Sequence, residues 1–93
     1  MRFEWDEQKN KTNFRKHKIW FEEAQTLWSD AGSVEYYDPE HSDNEDRYIR
    51  IGHSTNHRIL LVVFCEKAVD AIIRIISARK ATPKEVRTYE EGI

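Results

Sequence analysis

Arg58-Ile59-Leu60-Leu61-Val62-Val63-Phe64-Cys65 is a nearly continuous apolar run, and Ala71-Ile72-Ile73-Arg74-Ile75-Ile76-Ser77 follows it across the polar turn Lys67–Asp70. Short apolar runs rich in β-branched residues predict central strands. Just upstream, Arg47–His53 sets Tyr48, Arg50 and Gly52 on one side and Ile49 and Ile51 on the other, and Ser54-Thr55-Asn56-His57 has the composition of a hairpin turn. Three hydrophobic runs joined by short polar turns predict an antiparallel meander. Further out, Val34–Asp38 reads as a strand ahead of Pro39 and the acidic loop Glu40–Asp46. Phe3-Glu4-Trp5 alternates as a short strand with Phe3 and Trp5 on its core face.

The flanks read as helices. Asp6 is placed to cap a first helix over 7–17, with Glu7 at its positive end and Lys16, His17 and Lys18 at its negative end. That helix has one large apolar anchor, Phe14, so most of its surface must face solvent, a ligand or a partner. Phe21, Ala24, Leu27 and Trp28 recur at helical spacing and predict a second helix over about 20–29, closed by Gly32. Thr82-Pro83-Lys84-Glu85 is a capping box with proline at the first helical position, which predicts a final helix over 83–91. The expected architecture is an α+β sandwich in the order β-α-α-β-β-β-β-α. Two N-terminal helices and a C-terminal helix pack on a mostly antiparallel sheet, in one domain spanning 1–93.

Composition narrows the function. The chain has 93 residues, three Trp, four Tyr and four Phe, enough for a modest core without metal or disulfide. Cys65 is the only cysteine, so no intrachain disulfide forms, and its apolar neighbours suit a buried thiol in a reducing compartment. No apolar segment of signal-peptide or membrane-spanning kind is present, so the cytoplasm is the expected location. Net charge is −2, but it is segregated. Residues 1–18 hold six Lys/Arg against three acids, residues 19–46 hold nine acids and no Lys or Arg, and residues 47–93 hold nine Lys/Arg against five acids. A fold that joins the two basic ends would offer a polyanion a cationic surface beside an acidic one.

Lys9, Asn13, Lys16 and His17 share one face of the first helix, where the lysines could take phosphates and His17 could move a proton. The helix dipole alone would also favour Lys and His there. Arg74 interrupts an apolar strand and requires a carboxylate on a neighbouring strand, a phosphate or solvent. If Ile73 and Ile75 face the helices, Arg74 lies on the opposite face, where Arg50 or Arg47 could join it, and Arg79 and Lys80 stand just before a helix N-terminus. Tyr36, Tyr37 and Tyr89 could stack on bases or simply pack. His53 and His57 flank a hairpin and share no helical face, so with His41 and Cys65 they make a poor zinc site. No metal or other cofactor is expected. Neither a Gly-x-Ser-x-Gly elbow nor a glycine-rich phosphate loop is present.

Two long motifs carry a resemblance. Phe3-Glu4-Trp5-Asp6-Glu7-Gln8-Lys9-Asn10-Lys11-Thr12-Asn13-Phe14-Arg15-Lys16-His17 with Phe21-Glu22-Glu23-Ala24 is the first. The second is Ile73-Arg74-Ile75-Ile76-Ser77-Ala78-Arg79-Lys80-Ala81-Thr82 ahead of Glu85 and Tyr89. With Asp46-Arg47-Tyr48-Ile49 and Gly52 between them, they resemble the BrnT toxins of type II toxin–antitoxin pairs over nearly the whole chain. Trp20 departs from the pattern, which commonly has a small polar residue before Phe-Glu-Glu-Ala.

The resemblance implies a RelE-like fold and a metal-independent endoribonuclease that arrests translation. It also implies neutralisation by a BrnA-like antitoxin, in a 2:2 complex that reaches DNA only through the antitoxin. Under it, His17, Arg74, Arg79, Glu85 and Tyr89 are the expected catalytic residues, and Lys9, Asn13, Lys16 and Lys80 the expected RNA contacts. The competing reading is a module that binds RNA or protein through the same basic face without turnover.

Overall fold

In the computed structural model the apolar runs pair into one sheet. The structure describes residues 1–42, 44–67 and 71–92, with His41 described in its backbone only. Strand β1 (Arg2–Glu4) and helix α1 (Glu7–His17) are followed by helix α2 (Phe21–Ala24) and a 3-10 segment, Gln25–Ser29. Strand β2 (Val34–Tyr37), a 3-10 turn at Pro39–His41, and strands β3 (Tyr48–His53), β4 (Ile59–Lys67) and β5 (Ile72–Lys80) lead to helix α3 (Pro83–Glu91). The sheet runs β1-β5-β4-β3-β2, with β1 parallel to β5 and every other pair antiparallel. The fold is α+β with a five-stranded mixed sheet. Asp43 of the acidic loop and 68–70 of the turn after β4 lie outside the described residues.

Alternation along β4 splits the core between two faces. Leu60, Val62 and Phe64 point with Ile73, Ile75 and Ala78 toward α1 and α2, where they bury Ile19, Phe21, Ala24 and Leu27. Leu61 and Val63 point the other way with Val34, Ile49 and Ile51, and α3 covers part of that face through Tyr89. Burying a core side chain of this size contributes roughly 1.5–3 kcal/mol, so the first face dominates stability.

The capping signals produce the helices they predict. Asp6 accepts from the amides of Gln8 and Lys9, and Thr82 and Glu85 form a reciprocal capping box. The second helix differs from expectation. Only one α turn forms before the chain tightens to 3-10, because the Thr26 hydroxyl bonds back to the Glu23 carbonyl at 2.6 Å and accepts the Thr55 amide at 3.0 Å. Its C-cap is Asp30, so Gly32 sits in the following turn instead of closing it. Trp20 gives the helix no side-chain cap; buried Asn10 supplies one from α1, its Oδ1 accepting the Phe21 amide at 2.7 Å. The Trp20 ring stacks on Phe14 with centroids 4.1 Å apart.

Gly52 lies where the Asp30–Ser33 turn crosses β3. A Cβ there would stand 2.8 Å from the Ser33 Cβ, too close for any larger residue without movement. Arg50 does not join Arg74: it pairs with Val62 on the α1 face, packs over Trp28 at 4.6 Å and bonds Glu35 at 2.6 Å.

Candidate functional site

Strand β5 carries the site because it is an unusual edge. It continues to Lys80, past the expected end at Ser77, since Arg79 and Lys80 pair with Leu61 and Leu60 of β4. Arg79 and Lys80 are therefore strand residues, not part of a loop before α3. Strand β1 pairs only as far as Arg74, and among the described residues the rest of that side of β5 has no strand neighbour. Asn13 takes the neighbour's place. Its Oδ1 accepts the Ala78 amide at 3.0 Å, and its Nδ2 donates to the Ala78 and Ile19 carbonyls, both at 2.9 Å. Both amide hydrogens of Asn13 are used in this way, so the residue staples α1 to β5 and has no donor left for a ligand.

A bulge follows from the register. Val63 pairs with Ser77 but Phe64 with Ile75, so Ile76 is the extra residue on β5. Arg74 and Arg79, five positions apart, would face opposite ways on a regular strand. The bulge puts both on the α3 face, opposite Cys65 and Leu61.

Two hollows meet at this bulge. One, of about 300 Å³, opens on the α3 face, with Arg79, Glu85, Tyr36 and Arg47 among its lining. The other, of about 240 Å³, is lined from α1 by Lys9, Asn13, Lys16 and His17. Ile76 and Ser77 line both, so the basic face of α1 adjoins the Arg79 pocket.

The electrostatics differ between the two. Arg79 holds Glu85 in a bidentate pair, Nη1 to Oε1 at 2.8 Å and Nη2 to Oε2 at 2.9 Å. This pair keeps the Glu85 carboxyl below its ordinary value and raises the guanidinium further. Glu85 also accepts the Thr82 amide at 2.8 Å, so the helix cap fixes the residue that fixes Arg79. Burial, and then the Glu85 charge, push the Tyr36 hydroxyl up. Arg47 Nε is buried with no hydrogen-bond partner among the described residues, and Glu45 approaches its Nη2 only to 3.7 Å. Among the described residues, the α1 hollow has no acid in its lining, so its lysines carry uncompensated charge there.

Residues 5–85 match the family model described as "Ribonuclease toxin, BrnT, of type II toxin-antitoxin system". The chain belongs to the BrnT family. Among solved structures it is similar to the crystal structure of the Brucella abortus ribonuclease toxin, BrnT. The two are 27% identical with a TM-score of 0.64, over 88% of this chain and 97% of that one. No curated protein sequence gives a significant match. Membership makes this a ribonuclease toxin of a type II pair, with an antitoxin as its partner.

Other expected residues of this BrnT chain lie elsewhere. Arg74 takes its alternative role, pairing with Glu4 on the neighbouring strand at 3.0 Å beside Lys67. Tyr89 donates to Asp30 at 2.7 Å and touches His53 at 2.9 Å, one turn of α3 beyond Glu85. Lys80 lines a separate hollow with His53 and His57. Cys65 is buried, and its thiol is pushed up to about 11 by burial first and by Glu45 second, which makes it a poor nucleophile. Ser77, Tyr36 and Arg47 enter the site through the bulge and the pairing of β2 with β3, which no local pattern announces. Among the described residues, no helix is long and apolar enough to cross a membrane.

Proposed function

We propose that this BrnT chain cleaves RNA at the junction of the two hollows, without a metal, and so arrests translation in the cytoplasm. Its fold would then serve the same chemistry as that of RelE-type ribonucleases. The observation that carries the reading is that Ile76 and Ser77 line both hollows, so the hollow of Arg79 adjoins the one lined by the basic face of α1. In metal-independent cleavage the ribose 2′-hydroxyl attacks the adjacent phosphorus. A base must take its proton, an acid must protonate the leaving 5′-oxygen, and positive charge must stabilise the dianionic phosphorane.

Arg79, with Arg47 beside it, supplies that charge. Lys9 and Lys16 hold flanking phosphates, and His17 exchanges the protons. Glu85, held below its ordinary value by Arg79, is a weak base; its part is to orient the guanidinium. Arg74 steadies the strand through Glu4. A basic DNA-binding antitoxin of BrnA type, in a 2:2 complex, would be drawn to the acidic segment between residues 19 and 46.

The test is cleavage of an RNA oligonucleotide by the purified chain in chelator. The expected products carry 2′,3′-cyclic phosphate ends, and Arg79→Ala should slow the reaction by about 100-fold. Cleavage at an unchanged rate by Arg79→Ala, or only after metal addition, would overturn the proposal. Binding of RNA with no turnover would return the chain to the class of binding modules.

A further inference from the structure

Residues that the first site leaves out gather beside the start of α3. A hollow of about 420 Å³ there is lined by His53, His57, Arg58 and Lys80. Arg58 is engaged elsewhere, its Nε donating to Glu23 at 3.0 Å, so the histidines and Lys80 are the polar groups free to meet a ligand. Behind His53 runs a chain of hydrogen bonds. Asp30 Oδ1 accepts the Gly32 amide at 2.9 Å, while Oδ2 accepts the His53 amide at 2.8 Å and the Tyr89 hydroxyl at 2.7 Å. Burial alone would raise the Asp30 carboxyl, but the bonds from His53, Tyr89 and Gly32 together outweigh it and keep it ionised. The Tyr89 hydroxyl is pushed up to about 12, by its bond to Asp30 before anything else, and keeps its proton.

These directions determine a tautomer. An ionised carboxylate only accepts, so Tyr89 gives its single proton to Asp30. The 2.9 Å contact between His53 Nδ1 and the Tyr89 oxygen then has to run from Nδ1–H to oxygen. A neutral imidazole has one N–H, which leaves Nε2 with a lone pair and no proton. In its neutral form His53 thus enters the hollow as an oriented acceptor. Such an acceptor cannot bond a phosphate oxygen, and on a sugar–phosphate backbone the one donor it can meet is the 2′-hydroxyl, which DNA lacks.

We propose that this hollow is a second RNA contact: His53 Nε2 accepts a ribose 2′-hydroxyl, Lys80 takes the adjoining phosphate, and Tyr89 with Asp30 positions the imidazole. The site selects RNA over DNA. This rests on RNA being the substrate and adds where the chain recognises it.

The experiment compares binding of a short RNA and the DNA of the same sequence to the Arg79→Ala chain, by fluorescence anisotropy. Adding His53→Ala should weaken RNA binding about fivefold and leave DNA binding unchanged, whereas Lys80→Ala should weaken both. Nitrogen NMR of the otherwise unaltered chain should find the single ring proton of the neutral His53 on Nδ1, and Tyr89→Phe should abolish that bias. Equal loss for RNA and DNA in His53→Ala, or a proton resident on Nε2, overturns the assignment. Cleavage that survives Arg79→Ala would instead fault the catalytic centre, and the RNA-to-DNA ratio would still decide this site.

Discussion

Asn13 shows how one side chain can read as function and turn out to be structure. It shares a helix face with Lys9, Lys16 and His17, yet its amide completes the edge of β5 and leaves the two lysines and His17 as the exposed members of that face. Asn13→Ala strands the Ala78 amide and two carbonyls in a buried setting, where each unsatisfied group costs about 1–3 kcal/mol. The expected outcome is a loss of about 2–4 kcal/mol in a urea midpoint series, with a smaller effect for Asn13→Asp, which still accepts from Ala78. Cys65 was legible as a buried thiol because six apolar residues, Ile59–Phe64, run directly into it. The role of Asn13 was not legible, because its partner at Ala78 is 65 residues away.

Elements whose ends are set by local chemistry match the sequence reading closely. Helices α1 and α3 run over the predicted residues since a capping residue and its amide partners lie within a single turn. Thr82→Ala removes the side-chain half of the α3 cap and should cost about 1 kcal/mol in thermal or urea unfolding. It should also slow RNA cleavage, since Glu85 would hold Arg79 less firmly. The second helix and β5 departed from expectation for a common reason. The 3-10 winding of Gln25–Ser29 depends on Thr55, and the extension of β5 depends on Leu60 and Leu61, so both are decided by contacts across the fold. The bulge at Ile76 is of the same kind: strand parity is a property of the pair, not of the strand.

Across the whole molecule, carboxylates tie separate elements together, and Glu23, Asp30 and Glu85 are three of them. Glu23 joins α2 to the β3–β4 hairpin through Ser54 and Arg58, Asp30 joins β3 to α3, and Glu85 joins α3 to β5. Burial would raise Glu23, but the bonds from Arg58 and Ser54 outweigh it, and all three groups end below their ordinary values of 4.5, 3.8 and 4.5. A carboxyl depressed in the folded state binds fewer protons there than in the unfolded chain, so its contribution is present above the unfolded value and lost as pH falls through the folded one. Urea midpoints should therefore hold steady near neutrality and drop once pH goes below about 4.5, and Glu23→Gln should flatten that drop. The order of apolar runs, the caps and the segregation of charge were enough to determine the α+β class, the placement of α1 and α3, and a cationic face at the two ends of the chain. Those signals are short-range, and a single strand or turn suffices to express them. Which cations share a pocket was left to the tertiary structure, because a bulge, an edge closed by an asparagine side chain and the crossing of α3 over the sheet exist only once distant strands have paired.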